Sequence, residues 1–551
     1  MPRGLGCERS SEHAHSVLAS SGWTGTPYPG HVAAPVARRT LLAGGLAGVL
    51  GACAPHDASP PTGSPAPSAA PTSGTATSGA ATSGAVRPPT PADWRRLAQH
   101  VKGTLARPGS ASYDTVRLTQ NPRYDGARPL AVLSVATARD VATAFAFAQD
   151  HGVRVAIRSG GHSYPGWSAG NGALVVDVRP LDSVSLSGTT ATIGAGASLV
   201  QVYDALGRRG RGIAGGSCPT VGIAGLTQGG GVGVLTRAHG LTCDAVTAMR
   251  VVLADGRVVT ASADSEPDLF WALRGGGGGH LGVVTSFTMR TFAAPTITRA
   301  FLAWPFSAAS TVVPAWLSAI PSADRRLWST LKLLGGRTHA SGPALFASVT
   351  WTGPASSLDA ALRPLLRHVP TPTTDSRSTD GYLDTMLTYA GCSSIPVSQC
   401  HTGPGGALDR QAFAATSHII TTPHVSMPSL LDHVEAAQSS GLQEAGLSID
   451  ALGGAVDDVG GSDTAFGHRG ALTTVQYTAT YDSGPATAAT TYVRGFRSAM
   501  VPAWGKGAYV NYADASLSGY RSAYFGSNAG RLAQTRATYD PEGFFTQPQD
   551  L

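Results

Sequence analysis

Two residues able to form bonds to a ligand stand in glycine-rich frames about 55 residues apart. His162 lies in Arg158-Ser159-Gly160-Gly161-His162-Ser163-Tyr164, and Cys218 in Gly215-Gly216-Ser217-Cys218-Pro219-Thr220-Val221-Gly222. Glycine pairs adopt dihedrals closed to other residues, and a turn of consecutive N–H groups makes a concavity for an anion such as phosphate. The second frame has no charged residue, so its thiol is open to close approach by a planar ligand. By residue type alone, His162 fits a loop hydrogen-bonder and Cys218 a buried structural thiol. A third group lies far downstream, with Asp450, the pair Gln476-Tyr477, and Tyr509-Val510-Asn511-Tyr512-Ala513-Asp514. A tyrosine serves as a base near neutral pH only when its surroundings lower a pKa near 10. Otherwise such a ring packs in a core with its hydroxyl satisfied.

Further glycines follow the cysteine. The run containing Gly225, Gly229, Gly230, Gly231 and Gly233 brings backbone N–H groups where a diphosphate could approach. It is not a dinucleotide fingerprint, and the tract Arg274 to Gly279 is not a Walker loop, since no Gly-Lys-Ser/Thr follows.

Taken in order, the His162 and Cys218 frames resemble those of the berberine-bridge-enzyme-like flavoproteins. The resemblance runs from about Tyr124 onward and is densest over residues 158–177, 218–244, 268–287 and 509–545. It implies an α+β fold, with a PCMH-type FAD-binding domain of two subdomains and a substrate domain whose antiparallel sheet is covered by helices. It implies one FAD bonded twice, through His162 at the dimethylbenzene methyl carbon and Cys218 at carbon 6 of the isoalloxazine. Arg158, Ser159, Gly160, Gly161, Ser163, Val221, Gly222, Val284 and the glycines of the 225–233 run would contact the cofactor. Tyr509 matches the family's base, which takes a hydroxyl proton while hydride leaves the same carbon. Asn511 would hold the flavin's pyrimidine edge or orient that tyrosine, and Tyr164 would point into the same pocket. Asp450 and Tyr477 are candidates to assist. By the same resemblance, a residue as small as Val221 would leave room for oxygen beside the flavin. His280-Leu281 departs from the family, which has asparagine and an aromatic there.

These residues need elements to carry them. Strand-like runs at residues 130–135, 153–157, 173–178, 191–196, 249–254 and 257–261 alternate with a helical stretch at 138–149, and Asp255-Gly256 predicts a hairpin. Longer strands such as 344–351 and helices such as 355–368 mark a second region. The expected organisation is an FAD domain over 92–297, a substrate domain over 298–500 and a closing segment over 501–551. The chain has 551 residues, enough for more than one domain. Its formal charge of +6 is scattered in doublets such as Arg208-Arg209 and Arg325-Arg326. A nucleic-acid binder would gather that charge on one face, so no nucleic-acid partner is expected.

Residues 1–56 read as a signal region. Arg38-Arg39 precedes an uncharged run too short to span a bilayer, ending at Leu50-Gly51-Ala52-Cys53. This predicts twin-arginine export of a folded protein and a lipid anchor at Cys53, the competing reading being an ordinary cleavage site. Residues before 36 carry no structural pattern, as a translation start placed too early would produce. Residues 57–91 have a linker's Pro/Ser/Thr/Ala composition. Cys392 and Cys400 predict a disulfide in an exported protein, with a metal site beside His401 as the competitor. No metal is expected, and a monomer is. The expected activity is oxidation of an alcohol on a sugar or secondary metabolite, with oxygen reduced to peroxide. The alternatives are a dehydrogenase using a quinone or protein acceptor, and a flavin-fold binding lipoprotein without catalysis.

Overall fold

The computed structural model describes residues 87–482 and 486–551. The twin-arginine segment, Cys53 and nearly all of the expected linker lie outside the described residues. Three large sheets and a two-stranded one, Phe292–Ala293 with Arg211–Gly212, organise the rest. The first has the order Thr104–Ala106, Ala131–Ser134, Leu174–Asp177, Val155–Arg158. Its last three strands are parallel, and Leu174–Asp177 is buried throughout, as a strand covered on both faces must be. The crossover helix Ala138–Asp150 is capped by Thr137, whose hydroxyl accepts from the Asp140 N–H. Asp140 in turn accepts from the N–H groups of Lys102, Gly103 and Ala136, fixing the strand entries around the helix.

The second sheet is antiparallel, in the order Val184–Ser187, Thr190–Gly194, Val283–Arg290, Val246–Val252, Val258–Ser262. Its last pair is the expected hairpin: Gly256 takes φ +81°, and the Arg257 N–H donates to Asp255 Oδ1 at 2.9 Å.

The third sheet has seven antiparallel strands, ordered Thr374–Gly381, Thr296–Trp304, Ala344–Trp351, Leu327–Gly335, Glu444–Ala451, Thr473–Tyr481, Ala412–Ile420. The helix Ala486–Trp504 packs on its last two strands. The period-2 alternation of a strand then sorts side chains between faces. In Thr473–Tyr481, Tyr477 packs on the helix residues Phe496 and Trp504, so Gln476 faces the other way. Likewise Leu447 and Ile449 are fully buried, while Ser448 and Asp450 are partly exposed. The Cys392–Cys400 disulfide is formed, with 5.9 Å between the Cα atoms.

Candidate active site

One side of the site is a wall of two loops. The strand Val155–Arg158 delivers the first loop, and a Cβ on Gly160 would overlap the Gly222 backbone nitrogen and sit 2.7 Å from the Thr220 carbonyl. Only glycine lets the two frames abut. The contact sets His162 Nε2 2.8 Å from Thr220 Oγ1, while Cys218 Sγ lies 3.7 Å from the same hydroxyl. Thr220 therefore joins the two sequence frames through one oxygen. Burial lowers the His162 pKa to about 3, so its imidazole is neutral. Burial pushes the Cys218 thiol up, opposed by the Thr220 hydroxyl and by the Thr220 and Val221 backbones.

The opposite side is the polar face of the seven-stranded sheet. Lys332, Ser448 and Gln476 form one row across three strands, and Thr330, Asp450 and Thr474 form the next. Gln476 donates to the Tyr164 hydroxyl, joining this floor to the His162 loop. Tyr164 lies edge-on to Phe413 at 5.3 Å and stacks on Tyr512 at 5.4 Å with an interplanar angle of 4°. Burial raises the pKa of both phenols, and the Asp450 charge adds to the effect on each. Asp450 is itself pushed above the usual carboxylate range by burial, against the Thr330 hydroxyl and the Lys332 ammonium. Lys332 is lowered by burial, while Asp450 and Glu444 oppose the shift. The floor thus holds a carboxyl group inclined to accept a proton beside two phenols.

Several residues singled out in the sequence do different work. Tyr509 is 1% exposed, packed with Leu241, Cys243 and Phe466. Its oxygen accepts from the Gly231 N–H and from Asn511 Nδ2, both at 2.9 Å. Those donors favour the phenolate, but burial outweighs them and the pKa is raised. These contacts make Tyr509 a packed residue, whereas Tyr512, three positions on, is the tyrosine that stacks on Tyr164. The sequence signal was present, since Tyr512 is in the same motif, but which tyrosine turns inward depends on the 3-10 turn Val510–Tyr512. Asn511 orients Tyr509 and also donates to the Leu226 carbonyl. Tyr477 faces the helices, not the site. His418 Nε2 donates to the Gly505 carbonyl at 3.1 Å, which leaves Nδ1 to accept from the Tyr477 hydroxyl at 2.8 Å.

Arg158 is likewise structural. Its guanidinium donates to the carbonyls of Ser168, Val116 and Arg117, with Asp177 at 3.9 Å. The Ser159 hydroxyl donates to the Ala195 carbonyl, and the Ser163 hydroxyl accepts from the Trp167 N–H. Val284 packs its side chain in the main core at 2% exposure. The expectation of N–H groups held out to a diphosphate is not met at four glycines. The N–H groups of Gly229, Gly230, Gly231 and Gly233 donate to Gly225 O, Thr227 O, Tyr509 Oη and Thr236 Oγ1. Close packing is the reason for glycine there: a Cβ on Gly229 would overlap the Asn511 side chain. Gly225 differs, being exposed with nothing within 4 Å of a Cβ. Val221 is half-buried beside the Cys218 loop. His280 is buried with Nδ1 3.2 Å from Asp550 Oδ1, tying the glycine tract to the last turn of the chain.

FAD fits this arrangement on one ground. His162 and Cys218 both approach the Thr220 hydroxyl, so the two side chains border the same part of the site, where one planar ligand could meet both. A family model for an FAD binding domain matches residues 129–262, and the berberine and berberine-like model matches residues 508–550. The FAD-linked oxidoreductase YvdP of Bacillus subtilis is 31% identical over 466 residues, spanning 82% of this chain and 98% of its own. The chain belongs to the berberine-bridge-enzyme-like FAD-linked oxidoreductases. Within this family, the chitooligosaccharide oxidase of Gibberella zeae is 31% identical over 77% of this chain and 87% of its own. The solved structure of Physcomitrella patens BBE-like 1 superposes with a TM-score of 0.75 at 28% identity, covering 83% of this chain and 98% of its own. The protein is accordingly an oxidoreductase with a PCMH-type, mixed α+β FAD-binding fold.

Proposed function

We propose that the protein oxidises an alcohol carbon of a sugar or glycosylated metabolite, with FAD covalently held by His162 and Cys218 and oxygen reduced to hydrogen peroxide. The observation that carries this reading is the facing of two sets: the Thr220-joined pair on the wall, and Tyr164, Tyr512 and Asp450 on the floor. FAD supplies the two-electron acceptor that none of these side chains can provide. Tyr512 takes the substrate hydroxyl proton as hydride leaves the same carbon, and Asp450 receives the phenol proton in turn. Asp450 suits that part because burial makes it a stronger proton acceptor than an exposed carboxylate. Tyr164, held by Gln476, orients the hydroxyl. The row of Lys332, Ser448 and Gln476 offers the mixed donors and acceptors that a polyhydroxylated substrate needs. The similarity to a chitooligosaccharide oxidase supports a carbohydrate, and the small side chain of Val221 leaves oxygen room.

Two measurements test this. Acid-precipitated protein should stay yellow, and His162→Ala or Cys218→Ala should each keep colour through the surviving bond. Flavin lost entirely from the wild-type precipitate refutes double attachment. Anaerobic bleaching by candidate sugars, followed by oxygen uptake on aeration, should then show the oxidase. Bleaching without oxygen uptake would assign a quinone or protein acceptor, and a flavin that no substrate bleaches would assign binding without catalysis.

A further inference from the structure

The structure assigns to Thr220 the positioning of both flavin attachments, as the hydroxyl through which His162 and Cys218 each give up a proton. This rests on the double attachment proposed above. A threonine hydroxyl has one proton to donate and two lone pairs. At 2.8 Å from His162 Nε2 it is a full hydrogen-bond partner, and Cys218 Sγ, at 3.7 Å, lies within a sulfur contact of the same oxygen. Thr220 is itself 8% exposed, so bulk water does not readily replace it.

One arrangement serves both nucleophiles. When Nε2–H donates to Thr220 Oγ1, the lone pair of the neutral imidazole is on Nδ1, and attack goes through that nitrogen. The Thr220 hydroxyl proton is then free to point at Cys218 Sγ, where it favours the thiolate, the reactive form of cysteine. The Thr220 and Val221 backbones act on the sulfur in the same direction.

The chemistry balances with oxygen as oxidant. At His162 a nitrogen–carbon bond forms, and the Nε2 hydrogen and one hydrogen of the flavin methyl group leave as two protons and two electrons. At Cys218 a sulfur–carbon bond forms, and the thiol hydrogen and the hydrogen on carbon 6 leave in the same way. Each time, one dioxygen takes the two electrons and two protons and becomes hydrogen peroxide. Thr220 accepts the Nε2 proton in the first event and hands on the thiol proton in the second.

The test compares wild type with Thr220→Ser, Thr220→Val and Thr220→Ala, purified as yellow proteins. After denaturation and digestion, mass spectrometry follows flavin on the His162 peptide and on the Cys218 peptide as the holoprotein ages in air. Thr220→Ser keeps the hydroxyl and should link both residues at close to the wild-type rate. Thr220→Val keeps the volume, so it should bind FAD while linking each residue at least about a hundredfold more slowly, the loss expected for a positioned proton-transfer partner. If Thr220→Val does not fold, Thr220→Ala carries the same expectation. Linking of both peptides at the wild-type rate in Thr220→Val or Thr220→Ala overturns the role of Thr220. Wild type carrying no covalent flavin on either peptide overturns double attachment, and the role of Thr220 with it.

Discussion

The wall and the floor of the site are built by opposite means. The wall is two loops pressed together at Gly160 and Gly222, where a Cβ would overlap backbone, and its geometry follows from short stretches of sequence. The floor is a set of side chains delivered by Leu327–Gly335, Glu444–Ala451 and Thr473–Tyr481, whose register brings Thr330, Asp450 and Thr474 into one row. A side chain added at Gly160 or Gly222 would move backbone, while a substitution in the floor changes chemistry and leaves the sheet as it is. The same contrast recurs within four residues of the closing segment. Tyr509 is buried in a cluster with Leu241, Cys243 and Phe466, while Tyr512 is partly exposed and stacks on Tyr164, although both are tyrosines in one motif.

The largest effect should come from breaking that last contrast. Tyr512→Phe keeps the ring stacked on Tyr164 and removes the proton acceptor, so anaerobic flavin reduction should slow about a hundredfold to ten-thousandfold with the thermal midpoint nearly unchanged. Tyr509→Phe should do the reverse. It leaves the Gly231 N–H and the Asn511 amide without their shared acceptor, a loss of about 1–3 kcal/mol of stability with a much smaller change in rate. If stopped-flow reduction collapses in Tyr509→Phe and survives in Tyr512→Phe, the base is Tyr509 after all.

Asp450→Asn should come next, slowing flavin reduction by about a hundredfold, the lower end for a proton-transfer group. It should also alter the pH profile. The working form of Asp450 is the carboxylate, and burial raises its pKa. Wild-type reduction should therefore fall as pH drops through a pKa above the usual carboxylate range, and Asp450→Asn should lose that acid limb. An unchanged limb in the variant removes Asp450 from the proton path.

The smallest effect lies outside both wall and floor. Replacing Cys392 and Cys400 by serine opens a bridge between residues eight apart in sequence, which should lower stability by about 2–3 kcal/mol and leave flavin reduction unaltered. A collapse of the reduction rate would show that this loop shapes the site.

Much of the fold was legible because local signals agreed with it. The strand at residues 344–351 and the Asp255-Gly256 hairpin appear where alternation and turn chemistry place them. The glycine frames of His162 and Cys218 were legible for a related reason, since few sequences tolerate such close backbone approach. Roles that depend on which way a side chain turns were not. Arg158 was expected among the cofactor contacts, yet its guanidinium is bound to carbonyls of loops at residues 116–117 and 168. Gln476 and Tyr477 looked equivalent, and one step along a strand sent the first to the site and the second to His418. Thr220 read only as part of the cysteine frame, because its hydrogen bond to His162 spans 58 residues.

The sequence by itself determined the glycine frames that carry His162 and Cys218, the glycines that let their loops meet, and the periodicity of the strands. These are properties of short segments, set by sterics and by apolar alternation. Only the tertiary structure decided that Tyr512 and not Tyr509 stacks on Tyr164, that Arg158 binds loop carbonyls, and that the Thr220 hydroxyl lies against both His162 and Cys218. Those outcomes depend on burial and on partners brought together from distant strands, and the energy of a buried polar group is fixed by the neighbours that packing gives it.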